Sequence, residues 1–161
     1  MGNFPTAYHH SQQNIREMGE YEMSVHQISR NSEEESKFIR DRLIEFNSDQ
    51  VPAELNRYEE INLNIKDQEG KIIAGLLGEC CWNWVEVHIL WVDLAYRKHG
   101  FGSQLLTEIE RIAREKECTF IKLNTFSFQA PGFYKKHGYQ QMAVIDDAPR
   151  GFKHYYFKKD L

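Results

Sequence analysis

Residues 84–106 constrain this chain more than any other stretch. Residues 84–93 alternate as a strand, with Val85, Val87, Ile89 and Trp91 on one face and Glu86, His88, Leu90 and Val92 on the other. The strand runs toward Arg97-Lys98-His99-Gly100-Phe101-Gly102, after which Leu105, Leu106, Ile109, Ile112 and Ala113 recur at helical spacing to about Lys116. Strand, glycine loop and helix in that order gather unpaired backbone N–H groups and the positive end of a helix at one spot. That is how a backbone holds an anion such as phosphate. Glycine spacing alone leaves a plainer reading open, in which Gly100 and Gly102 only relieve loop strain. Two nucleotide readings fail on the residues: a dinucleotide fingerprint needs a third glycine where Leu105 stands, and a Walker A loop needs a Gly-Lys-Ser/Thr end.

The flanking sequence supplies the other elements. Residues 23–29 alternate weakly and read as a first strand. Ser32-Glu33-Glu34-Glu35 has the pattern of a capping box and predicts a helix to about Phe46, with Ile39, Leu43 and Phe46 on one face and residues 47–52 breaking it. Residues 61–66 and 71–78 read as a hairpin turned by 67–70. Residues 119–125 form a further strand, Pro131 opens a helix through 133–137 that Gly138 stops, and strands over 139–145 and 152–158 flank a turn at 146–151.

A chain of 161 residues, 41% hydrophobic and 13% aromatic, can build one sizeable core. Residues 1–22 are polar without a sustained period and read as a flexible arm, which leaves 23–161 as the folded domain. Met1 to Thr6 match the loose myristoylation pattern, as six residues easily do by chance. A net charge of -4 argues against nucleic acid as a partner, and basic groups are local, at residues 97–99 and at Lys135 and Lys136. No stretch approaches the roughly 20 apolar residues of a membrane span and no leader is evident, so no membrane partner and a cytoplasmic location are expected. Cys80, Cys81 and Cys118 lack metal-ligand spacing and read as reduced, buried thiols, with no metal expected.

Three segments taken together resemble the GNAT superfamily of acyl-CoA-dependent N-acyltransferases. They are the Val92-containing strand, the motif Arg97-Lys98-His99-Gly100-Phe101-Gly102 that follows it, and Phe133-Tyr134-Lys135-Lys136-His137-Gly138-Tyr139, which fits Phe-Tyr-x-x-x-Gly-Phe/Tyr at every fixed position. The resemblance runs from about Val25 to the C-terminus. Leu94 departs from it where a proline is common, and Gln129 stands where many members carry an Asn that touches the cofactor. It implies an α+β, layered fold: a central, mixed, mostly antiparallel twisted sheet flanked by helices on both faces. It also implies acetyl-CoA as co-substrate. The amides of Lys98, Gly100, Phe101, Gly102 and Ser103 would cradle its pyrophosphate, with Arg97 adding charge, the glycines sparing room for the phosphate, and Leu90, Trp91 and Val92 pairing with the pantetheine arm.

Acyl transfer to an amine needs a neutral amine, donors for the developing oxyanion and a proton for the departing thiolate. By the same resemblance Glu86 and His88 are candidate bases. Alternation places both on the face of Leu90 and Val92. Tyr134 is the candidate acid. His99, His137, Lys135 and Lys136 read as exposed polar groups, while His154 is a minor candidate for the acceptor side. Trp82 and Trp84, with Asp146 and Asp147, are candidates to meet a cationic or aromatic acceptor. The implied activity is acetylation of a primary amine, on a small molecule or a peptide, by direct attack in a ternary complex. The alternative is a non-catalytic acyl-CoA-binding module, and a homodimer is compatible with either.

Overall fold

A computed structural model describes residues 27–161. The arm at 1–22 and residues 23–26 of the first expected strand lie outside the described residues, and Gln27 to Ser29 are not in a strand. The chain divides into two compact units, Met1–Leu43 and Ile44–Leu161. Helix α1, Glu33–Gln50, begins in the first and ends in the second. Its start is the capping box: the Glu35 amide donates to Ser32 Oγ at 3.2 Å and the Ser32 amide to Glu35 Oε2 at 2.7 Å. The helix outruns its expected end at Phe46. Asn47, Ser48 and Asp49 are only weak helix formers, and the Ser48 hydroxyl settles by donating to the Ile44 carbonyl at 2.9 Å. The firm stop is Pro52, which pushes the residue before it out of helical geometry.

The second unit holds a six-stranded sheet: β1 Tyr58–Lys66, β2 Ile72–Cys81, β3 Trp84–Val92, β4 Phe120–Phe126, β5 Gln140–Asp146 and β6 Lys153–Asp160. The spatial order is β1-β2-β3-β4-β6-β5. Only β3 and β4 run parallel, because the crossover through helix α2, Phe101–Glu115, returns the chain to the same end of the sheet. Asp67 builds the first hairpin turn, its Oδ1 accepting from the Glu69 and Lys71 amides at 3.0 and 2.9 Å. The α2 stripe of Leu105, Leu106, Ile109 and Ala113 is buried against Leu76, Val85, Ile121 and Phe157 of the sheet. Helix α3, Pro131–Lys136, joins the same core through Tyr134. Gly138 ends it at φ +83°, the left-handed cap expected of that glycine. No helix among the described residues is long and apolar enough to cross a membrane.

One polar contact ties α2 to β6. Lys159 Nζ donates to both carboxylate oxygens of buried Glu110 at 2.7 Å, with Arg114 more distant at 3.7 Å. Removing the lysine strands a buried carboxylate. Lys159→Met is therefore expected to cost about 2 kcal/mol in urea unfolding, less than the roughly 3–5 kcal/mol of a fully buried pair because Arg114 and solvent compensate in part. Replacing Glu110 and Lys159 together should cost less than Lys159→Met alone.

Candidate active site

The site starts from a miscount in β3. Leu77 of β2 faces Ile89 and Gly78 faces Val87, so His88 is an extra residue, a β-bulge. Gly78 makes this close approach: a Cβ there would lie 2.6 Å from the Glu86 carbonyl oxygen. A glycine inside a strand is the sequence signal that could have exposed the bulge. The inserted residue shifts the phase of alternation. Val85, Val87, Leu90 and Val92 all pack into the core on the α2 side, and Ile89 and Trp91 turn to the opposite face with Glu86.

The expected sharing of one face by Glu86, His88, Leu90 and Val92 is thus corrected. Glu86 stands opposite Lys122 of β4, its Oε2 accepting from Lys122 Nζ at 2.7 Å, and it does not line the cleft formed beyond the bulge. His88 does line it. Its Nε2 lies 3.2 Å from Glu79 Oε2, and Glu79 also accepts from the Tyr58 hydroxyl at 2.9 Å. That second bond, with Glu79's charge, pushes the Tyr58 phenol above its ordinary value.

At the same point β3 and β4 part. Their parallel pairing covers only Trp84–Val87 against Phe120–Leu123, although β3 continues to Val92 and β4 to Phe126. The resulting cleft has a volume of about 800 Å³. Leu90, Trp91 and Val92 line it from β3, Asn124 and Thr125 from β4. Since Leu90 and Val92 face α2 while Trp91 and Asn124 face away, the cleft passes through the sheet.

The glycine loop closes one end, with Arg97, Lys98, Gly100, Phe101, Gly102 and Ser103 all on the lining. Asp93 Oδ1 accepts from the Ala95 amide at 2.9 Å to start a single 3₁₀ turn, and Arg97 Nε donates to the Val92 carbonyl at 3.1 Å. Gly100 is the N-cap of α2 at φ +86° and brings no side-chain cap. The amides of Phe101 to Ser103, in the first turn, have no acceptor within the helix. The expected reason for the glycines needs refining. Gly100 is required by its left-handed backbone, since a Cβ there would touch nothing. At Gly102 a Cβ would make ordinary contact, 3.4 Å from Phe133 Cζ and 3.7 Å from Val92 Cγ2, and a larger side chain would press on the cleft wall.

Across the cleft, Tyr134 is only 7% exposed and packs between Phe133, Tyr139 and Phe157. Burial pushes its phenol above the ordinary value, so it carries its proton at neutral pH. Gln129 also lines the cleft, and its Oε1 accepts from Thr125 Oγ1 and the Phe126 amide, both at 2.9 Å, which fixes the turn after β4. His137 is not the free surface group expected. Its Nδ1 lies 2.9 Å from the Phe133 carbonyl oxygen and its Nε2 2.9 Å from Ser103 Oγ, tying the end of α3 to the first turn of α2. A carbonyl only accepts, so Nδ1 carries the hydrogen, and in the neutral ring Nε2 accepts from Ser103. Sequence reading missed this because the partners are 34 residues apart.

Other candidates fall outside the cleft. Trp82 and Trp84 pack edge-on at the β2–β3 turn beside Phe120. Asp146 pairs with Lys153, and Asp147 Oδ1 accepts from the Gly151 amide at 2.6 Å. His99, Lys135 and Lys136 are exposed. Cys80 and Cys118 are buried free thiols with sulfurs 3.5 Å apart, Cys81 is half-buried rather than buried, and none of the three lines the cleft. Burial pushes the Cys118 thiol up to about 11. No cluster of three or more His, Cys, Asp or Glu suited to a metal occurs among the described residues.

The fold is shared with known proteins. A family model for the acetyltransferase (GNAT) domain matches residues 61–141, from β1 to β5. The chain is 40% identical over 95 residues to blasticidin-S acetyltransferase of Streptomyces morookaense, covering 58% of this chain and 70% of that protein. An acetyltransferase structure from Bacillus cereus ATCC 14579 superposes with a TM-score of 0.81 at 41% identity, over 86% of this chain and all of that one. At 16% identity, an aminoglycoside 6'-N-acetyltransferase complexed with coenzyme A shares the fold, with a TM-score of 0.55 over 83% of this chain and 97% of that one. Glycine loop, bulged strand and buried tyrosine thus occur in a chain that belongs to the GNAT family of acetyltransferases.

Proposed function

We propose that this acetyltransferase moves the acetyl group of acetyl-CoA onto a primary amine of a small molecule by direct attack in a ternary complex. The observation that carries the reading is the through-sheet cleft, which has an anion-ready helix start on one side and His88 on its wall, with buried Tyr134 between strands and loop. The aminoglycoside enzyme of the same fold, complexed with coenzyme A, supports the donor. Blasticidin-S acetyltransferase supports an antibiotic-like small molecule over a peptide as acceptor.

The residues fit the donor. First-turn amides of α2 face the cleft end for a pyrophosphate, and Arg97 and Lys98 add positive charge. The strand edge at Leu90 to Val92 has lost its β4 partner and offers N–H and C=O groups to an amide-bearing arm. Acetyl-CoA supplies an activated thioester. The attacking amine nitrogen bonds to its carbonyl carbon, the C–S bond breaks, and the sulfur takes the phenolic proton of Tyr134. Since a carboxylate only accepts, Glu79 holds the hydrogen on His88 Nε2 and leaves Nδ1 to take the proton from the amine. Glu86, paired with Lys122, is left out of this scheme.

Thiol release from acetyl-CoA, measured across small-molecule amines and lysine peptides, tests the reading. Turnover with at least one small amine and little with peptides is expected; turnover with peptides alone would refute the acceptor class. His88→Ala should lower kcat more at pH 7 than at pH 10. An alkylamine with a pKa of about 10.4 is mostly protonated at neutral pH and needs the base there, but deprotonates unaided as pH rises. An equal loss at every pH would make His88 a positioning residue.

A further inference from the structure

A run of stacked rings ends on the lining of the cleft. Phe128 lines the cleft and lies nearly parallel to Phe126, with centroids 5.2 Å apart and planes at 6°. Phe126 stacks in turn on His154, with centroids 4.4 Å apart, and His154 on Tyr156 at 4.6 Å. Phe152 closes edge-on against Phe128 at 5.0 Å. Polar bonds fix the stack: His154 Nε2 donates to Asn124 Oδ1 at 2.9 Å, and the Tyr156 hydroxyl lies 3.3 Å from His154 Nδ1. Asn124 itself lines the cleft. The run of rings therefore ends at the opening, where Phe128 is 56% exposed.

We propose that the acceptor amine carries a flat conjugated ring, and that Phe128 selects it by extending the stack of Phe126 and His154. The proposal rests on the acetyl-transfer reading above and narrows its acceptor. A flexible aliphatic amine gains little from the end of a ring stack, since it has no face to offset against Phe128 and must give up rotamer freedom to lie on it. A planar ring loses little on docking and excludes water from Phe128. Phe128 and His88 line the same cleft.

The test compares kcat/KM for ring-bearing amines, benzylamine and the aminomethylpyridines, with that for butylamine and putrescine, in the parent, Phe128→Leu and Phe128→Tyr. The parent should prefer the ring-bearing set by about threefold to tenfold, the scale of one aromatic pair. In Phe128→Leu that ratio should fall toward one, with the change in KM for ring-bearing amines, and Phe128→Tyr should restore it. Melting temperatures of the three proteins report that each is folded. Equal use of both sets by the parent would overturn the proposal, as would an equal loss on both in Phe128→Leu. Thiol release with aliphatic amines alone would overturn this inference and spare the acetyl-transfer reading. Release with no amine at all would overturn both.

Discussion

Tyr134→Phe is expected to lower kcat by about tenfold to a thousandfold, the scale of one general acid, with acetyl-CoA affinity nearly intact. The substitution keeps the ring that packs on Phe133, Tyr139 and Phe157 and removes only the hydroxyl. Its size follows from the setting, because burial holds the phenol protonated and little water reaches it to serve instead. The raised pKa also fixes a sign. Activity should show no alkaline fall through loss of the Tyr134 proton below about pH 10, since the folded-state phenol titrates above the ordinary value. Steady-state kinetics from pH 6 to pH 10 on both proteins check the two statements together. If Tyr134 only fills space, kcat is unchanged.

The second large effect belongs to Gly102→Val. A Cβ at this position already meets Phe133 and Val92 at 3.4 and 3.7 Å, and the two further methyls of valine must displace the Phe133 ring or stand in the cleft. Either outcome spoils the seat for a phosphate at the helix start. Acetyl-CoA affinity should drop at least about a hundredfold, or roughly 2.7 kcal/mol, measured by calorimetry or by loss of the ligand-induced melting shift. The apo protein should still fold, because the first turn of α2 lies on the cleft rim while the helix is anchored by Leu105, Leu106 and Ile109. Unchanged affinity would remove the loop from the binding site.

Much of the fold was legible because its signals are local. The capping box at Ser32, the hairpin turn at Asp67 and the left-handed stop at Gly138 each follow from one or a few adjacent residues. The end of α1 differs from the expected Phe46 because residues 47–49 are weak helix formers and not breakers, so the helix runs on until Pro52 nears. The site was legible as a list but not as an arrangement. Val85 to Val92 alternate cleanly on paper, and no residue type at 88 announces an insertion, so Glu86 was assigned to the wrong face. The clue lay on the neighbouring strand, at Gly78, and acquires meaning only once the pairing is known. The bond from His137 to Ser103 has the same character, joining two motifs that each looked complete.

The short parallel pairing also has a mechanical meaning. Four residue pairs, Trp84–Val87 against Phe120–Leu123, zip one three-stranded half-sheet to the other, and beyond them the zipper stands open. Whatever lies in that opening and bonds to the free edge of β3 works as an added length of strand. The guest then becomes part of the host's architecture. On the proposed function, acyl transfer and the integrity of the sheet draw on one seam, so a change that loosens the zip, such as a proline at Ile121, would disturb chemistry by letting the two halves drift.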